Sequence, residues 1–447
     1  MGKKKDIFKF INFFWDLGSI SQLRKIISGN IAVLMLLELL NGLSRWTLQP
    51  LLQPFLLKVG FSIVFIGALS SFRSIISAIF QPILGKYSDI YGRKPIIIFG
   101  STLQTIALFL LALIENSNLL ILSVLILGIA ESFVTPSFNV LMMESVKKEF
   151  RITAYNLVKT ITFGMGIVAP VFGGIITKLY GFQIGFILLT IICLVNSIAY
   201  ALFLEETVSN VKRVATIDLF RADEALAKRS LYILSKQFRN ALARVKKIVN
   251  INVFAGLKNF FTPELKIRGL YIVWAMDSFA WGAFMPIRSA ILADYFQFST
   301  NMIGIILATS SAVVVFVSIP LGSLADRIDR RAVLCASEIF AGLSLIGYIF
   351  SSNFYHVVFV QIFNGIALAS WYGPIQSLLA DTVSQNNLGV ATGRLFAVGT
   401  IAGLSSPTLG GLIYSYFGFH SLCIFCLLFV IINIILIPIV VQEAGGS

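Results

Sequence analysis

Gly85-Lys86-Tyr87-Ser88-Asp89-Ile90-Tyr91-Gly92-Arg93-Lys94 is a short charged turn set between two long apolar runs. It returns 237 positions later, from Gly85 to Gly322, as Gly322-Ser323-Leu324-Ala325-Asp326-Arg327-Ile328-Asp329-Arg330-Arg331. The same offset carries Phe61 to Phe298, Gly67 to Gly304, Gly128-Ile129-Ala130 to Gly365-Ile366-Ala367, and Glu144 to Asp381. It also carries Pro170, Gly173 and Gly174 to Pro407, Gly410 and Gly411, and Gly181-Phe182 to Gly418-Phe419. No gap is needed, so the chain is a direct repeat.

The material around the turns is membrane material. Of the 447 residues 57% are apolar and only 13% charged, and the mean hydropathy is +0.88, whereas a soluble domain carries about a quarter of its residues charged. Twelve apolar runs of spanning length fall roughly at 29–57, 61–86, 95–114, 118–145, 151–178, 182–204, 268–293, 299–322, 332–351, 354–381, 388–415 and 419–441. This predicts an all-α membrane protein with twelve transmembrane helices as two six-helix bundles, 29–204 and 268–441. Residues 1–28 read as a cytoplasmic N-terminus with an interfacial helix around Ile7–Asp16, and 442–447 as a cytoplasmic tail. The intervening 205–267 reads as a linker with an amphipathic helix near 223–250.

The net charge of +14 is explained by location. Of 35 Lys and Arg, 28 fall in segments assigned to one side: the N-terminus, the two turns, Lys147-Lys148-Arg151 and 205–268. That is the positive-inside pattern, which places both termini in the cytoplasm and makes a nucleic-acid partner unnecessary. No signal-peptide pattern opens the chain. Cys423 and Cys426 have half of a metal-site spacing without a second pair, and read as small core residues.

A turn of the form Gly, three residues, Asp, three residues, Arg and a further base resembles the loop between the second and third helices of the major facilitator superfamily. The second copy sits where that family repeats it, between helices 8 and 9. The resemblance implies parallel six-helix repeats in a secondary transporter, and a gating charge cluster of Gly85, Asp89, Arg93 and Glu144 with Gly322, Asp326, Arg330 and Asp381. Gly85 and Gly322 are read as points of close helix approach. Asp89 and Asp326 would face the N-termini of helices 11 and 5. Asp329 replaces Gly92 in the second copy, which implies a different turn and a competitor for Arg330. Pro170, Gly173, Gly174 and Pro407, Gly410, Gly411 resemble part of the helix-5 motif of drug–proton antiporters and read as hinges in both halves.

Ionisable groups inside a membrane point to a pathway. Glu38, Asn41, Arg45 and Gln49 lie within about 60° of one direction on helix 1. Arg73, Glu131 and Lys159 add charges at similar depth, and helix 7 has Asp277 and Trp281 on one face. Helices 1, 4, 7 and 10 line the cavity in the family, so Glu38, Asn41, Arg45, Glu131, Asp277, Trp281, Trp371 and Tyr372 are cavity candidates, with Arg73 and Lys159 flanking. Glu38 or Asp277 is expected to exchange protons. Glu338, on helix 9, reads as structural and outside the cavity.

Gly85-Lys86 has Phe80 and Tyr87 where a phosphate loop needs Gly and a hydroxyl, which argues against ATP as energy source. The two histidines, His356 and His420, fall in outer loops, leaving no metal cluster or catalytic triad. No cofactor is expected. The reading is a monomeric, multi-pass carrier of the plasma membrane, exporting a drug-like compound or metabolite against protons. The alternatives are a carrier of organic anions or lipid-like amphiphiles, or a non-transporting sensor or scramblase with the same fold.

Overall fold

A computed structural model describes residues 30–113, 117–146, 151–207, 265–325, 328–383 and 388–441. The expected interfacial helix, most of the linker with its amphipathic helix, the 442–447 tail and Asp326 lie outside these residues.

The first half comprises α1 (Asn30–Lys58), α2 (Ile63–Tyr91), α3 (Arg93–Leu113), α4 (Ser117–Glu144) and the run Arg151–Phe203. That run breaks at Gly181, whose φ of 87° is left-handed, into α5 (151–180) and α6 (182–203). The second half begins with α7, Leu265–Phe284, continued through a 3-10 turn at Met285–Ile287 into Arg288–Asp294. Pro286 sits in that turn; it has no backbone N–H to donate, which interrupts the helix. Then come α8 (Thr300–Ala325), α9 (Arg330–Phe350), α10 (Phe354–Thr382), and α11 as Leu388–Gly403 plus 406–417. After Gly418, at φ 83°, α12 covers 419–440. The sequence boundaries differ most at the end of α2, by five residues (86 against Tyr91).

Ten helical runs among the described residues are long and apolar enough to cross a membrane. Two of them, Thr160–Phe203 and Ala391–Val440, contain the left-handed glycines and serve for two crossings each, giving twelve. In-membrane backbone must satisfy its own hydrogen bonds, and uninterrupted helices do so. Large apolar side chains stand outward, Leu202 at 69% and Ile439 at 70% exposure, as lipid-facing residues do.

Two compact units emerge. Of the described residues, one holds those within 30–60, 75–207 and 297–315; the other holds those within 61–74, 265–296 and 316–441. Each unit thus includes a short piece of the opposite sequence half. In the first, α1 and α3 pack on the α5–α6 run and α3 on α4, around Leu34, Leu37, Ile97 and Phe138. In the second, α7 packs on α11 and α12, and α9 on α10 and α12, around Leu270, Trp274, Leu334 and Leu395.

The proline–glycine motifs are packing surfaces. In the first unit Thr300 Oγ1 donates to the Gly174 carbonyl at 3.0 Å, a Cβ on Gly174 would meet Asn301 Cα at 2.7 Å, and one on Gly304 would strike the Pro170 carbonyl. In the second unit a Cβ on Gly411 would meet Val64 Cα at 2.9 Å and one on Gly67 the Pro407 carbonyl. These are the same contacts shifted by 237 residues. The backbone differs between the two copies. α5 runs helical through Pro170, while α11 is interrupted at Leu404–Ser405, just before Pro407.

Candidate functional site

The first charged turn closes around Arg93. Gly92 has φ +100°, a left-handed conformation that costs other residues roughly 1–2 kcal/mol. It turns the chain into α3, whose first N–H groups are orphan donors. The Glu206 carboxylate, just past α6, takes both: Arg93 N and Lys94 N each donate to it at 3.0 Å. The Arg93 side chain, 7% exposed, is ion-paired with Asp89, donates to Glu144 at 3.1 Å and to Ser88 Oγ at 2.6 Å. Thr207 Oγ1 donates to Glu144 at 2.5 Å. Sequence reasoning missed Glu206 because the helix end it caps lies 113 residues away.

The second turn is built differently. Asp329 adopts φ −53°, accepts from Arg331 N as the cap of α9, and pairs with Arg331 at 3.1 Å. Arg330 is paired with Asp381. The expected competition for Arg330 is thus met by Asp329 being occupied in capping and with Arg331. Gly85 departs from expectation, since a Cβ there would meet nothing within 4 Å and close packing is not what it provides. Gly322 and Lys159 are described in their backbone only.

Among the first-half intramembrane charges, Glu38 is 4% exposed and accepts from Thr162 Oγ1 at 2.7 Å and Asn41 Nδ2 at 3.1 Å. The carboxylate thereby joins α1 to α5. Arg45 Nη2 lies 3.6 Å from Glu131 Oε1, with side chains 57% and 32% exposed. Arg73 is half-buried and belongs to the other compact unit.

The second unit has an open recess of about 360 Å³ lined from α7 by Trp274, Asp277, Ser278 and Trp281, from α10 by Tyr372 and from α11 by Phe396, Gly399 and Thr400. Trp274 is its organiser. It stacks on Trp371 (centroids 6.2 Å, 13° between planes) and meets Tyr372 and Phe396 edge-on at 5.7 and 5.4 Å. Gly399 makes room for this, because a Cβ there would lie 2.6 Å from Ser278 Oγ and from Trp274 Cδ1. An adjoining cavity of about 170 Å³ shares Asp277, Trp281, Met285 and Tyr372 and reaches Glu338, Ala341, Asn364, Ala367 and Trp371.

Glu338 therefore lines a cavity, contrary to the sequence reading. Ser337 Oγ donates to the Ala367 carbonyl at 2.7 Å, drawing α9 against α10, and Ala341 and Ala367 are too small to fill the gap. Of the candidates, the structure gathers Asp277, Trp281, Trp371 and Tyr372 around these spaces. It adds Phe396 and Glu338.

Duplicated six-helix repeats, paired charged turns and an acid among aromatic side chains define a polytopic membrane carrier. The family model described as Major Facilitator Superfamily matches residues 34–263 and 270–445, and the chain belongs to that superfamily of transporters. It is 22% identical over 376 residues to the multidrug resistance protein MdtG of Proteus mirabilis (strain HI4320), covering 83% of this chain and 84% of the relative. It is 22% identical to the multi-drug resistance efflux pump PmrA of Streptococcus pneumoniae serotype 4, covering 88% and 91%. A crystal structure of a peptide transporter POT in complex with alafosfalin shares the fold, with TM-score 0.70, 12% identity and coverage of 93% and 96%.

Proposed function

We propose that this transporter exports drug-like organic compounds across the plasma membrane in exchange for protons, by alternating access, with both termini cytoplasmic. The observation that carries the reading is Asp277, a membrane-embedded acid among Trp274, Trp281 and Tyr372 in a recess of ligand size. A carboxylate there is costly unless protonated or paired, so proton and compound compete for it. The arrival of one releases the other. The multidrug relatives support the substrate class, and the positive-inside pattern supports the orientation. The Arg93 and Arg330 clusters act as charged latches at the cytoplasmic ends of α2–α4 and α8–α10, made and broken during the cycle. The protein works as a monomer on this reading.

The test is purified protein in sealed liposomes with an imposed pH gradient and panels of cationic, anionic and neutral compounds. Compound-dependent collapse of the gradient, lost in Asp277→Asn, is expected. Collapse that persists unchanged in Asp277→Asn removes Asp277 from the coupling. Collapse driven by anions alone would favour the organic-anion reading.

A further inference from the structure

Glu338 is left unexplained by a carrier that uses Asp277 alone. It is 1% exposed. Its Oε1 receives a hydrogen bond of 2.6 Å from Asn433 Nδ2, a group that also donates to the Val273 carbonyl at 3.1 Å. Its Oε2 has no hydrogen-bond partner, and neither do Trp371 Nε1 and Asn364 Oδ1, at residues 5% and 1% exposed. Glu338, Trp371 and Asn364 all line the smaller cavity together with Asp277. Buried polar atoms are ordinarily satisfied, so the two acceptors Glu338 Oε2 and Asn364 Oδ1 call for a donor from the cavity's occupant, and the Trp371 Nε1 donor for an acceptor.

The occupant's chemistry follows from the walls. Among the described residues no lysine, arginine or histidine lines either space, so nothing in that lining neutralises the two carboxyls. Trp274, Trp281, Tyr372 and Phe396 present aromatic rings, whose faces attract cations. An anion would meet two carboxylates across those same faces.

We propose that Asp277 and Glu338 form one two-carboxylate site for an organic cation, with the aromatic walls holding its apolar body. This rests on the transporter reading above and names the substrate class of that recess. Glu338, pinned by Asn433, is the fixed end of the site. Asp277 stands where the smaller cavity joins the open recess and meets the entering ligand first. Two carboxylates balance two charges, so the site favours dications over monocations.

The experiment measures equilibrium binding of the monocation tetraphenylphosphonium and the dication methyl viologen to the full-length protein in phosphatidylcholine nanodiscs. Both are expected to bind. Glu338→Gln is expected to lower the affinity for the dication relative to the monocation by about tenfold or more, the scale of one charge-assisted contact. A Glu338 that only braces Asn433 would leave that ratio unchanged, and this result overturns the proposal, as does failure of the wild-type protein to bind either cation. Should the variant not fold, the wild-type protein is treated with dicyclohexylcarbodiimide and mapped by peptide mass spectrometry. Bound cation is expected to protect Asp277 and Glu338 together, and labelling of Glu338 indifferent to the cation refutes the site. Cation binding without cation-driven proton movement in liposomes leaves the site standing and removes the exchange reading. Proton-coupled movement of other compounds without cation binding does the reverse.

Discussion

The two charged turns began as copies and now end their helices by different means. At the first, the N-terminus of α3 is capped from outside, by Glu206 beyond α6, over a left-handed Gly92. At the second, α9 caps itself through Asp329. A helix start needs its orphan donors satisfied, and duplication left two solutions. The first ties the entry of the 205–267 linker to the Arg93–Glu144 cluster; the second is local. The interiors diverge as well. At the offset of 237 residues Arg45 corresponds to Gly282, Lys159 to Phe396 and Glu131 to Leu368. Charges of the first half stand where the second half has small, aromatic or aliphatic residues, and the recess forms in the second.

Four experiments press on that contrast. The largest effect belongs to the interior: Asp277→Asn should cut compound-driven proton flux in liposomes by about a hundredfold, the lower end for loss of a proton-transfer group. Arg45→Gln should retain most of it; equal losses would erase the distinction between the halves. Next come the turns. Arg93→Ala removes the buried partner shared by Asp89 and Glu144 and should cost about 2–3 kcal/mol of stability, read as a drop in melting temperature. Arg330→Ala, at a more exposed pair, should cost at most about 1 kcal/mol.

Gly399→Val pushes Trp274 off its stack and should weaken ligand binding about tenfold, with an overpacking strain of about 1–3 kcal/mol; titration against the wild type checks it. The last pair is at the glycines of the first turn, and its second member is the smallest shift of all. Gly92→Ala should lose about 1–2 kcal/mol and loosen Glu206, whereas Gly85→Ala, facing open space, should stay within about 0.5 kcal/mol. Matched melts of the two variants decide it.

The architecture was legible in the sequence because a bilayer imposes length and apolarity on every crossing, and because the offset of 237 keeps Gly181 and Gly418 in step. Those two glycines are the left-handed breaks that split the longest helical runs. The Arg93–Glu144 and Arg330–Asp381 pairs were also within reach, since each acid falls 51 residues after its base. Glu206 and Glu338 were not. One acts on a helix end distant in sequence, and the other reaches a cavity through a gap left by two alanines, which helix phase alone does not reveal. Glu38 shows the reach of helix phase in the first half: Asn41 of the same stripe donates to it, and Thr162 of α5, which that phase does not reveal, donates as well.

The exchanged segments have a consequence for the chain as a polymer. Residues 61–74 belong to the compact unit made mostly of the second half, and 297–315 to the one made mostly of the first. A protease cut within 208–264 would therefore release two fragments, each carrying a piece that only the other can complete. Such halves should co-purify after nicking and reassemble when synthesised from separate messages, while either one made alone should be cleared as an unfinished protein. The repeat is tandem in sequence, while each compact unit draws a short segment from the other half.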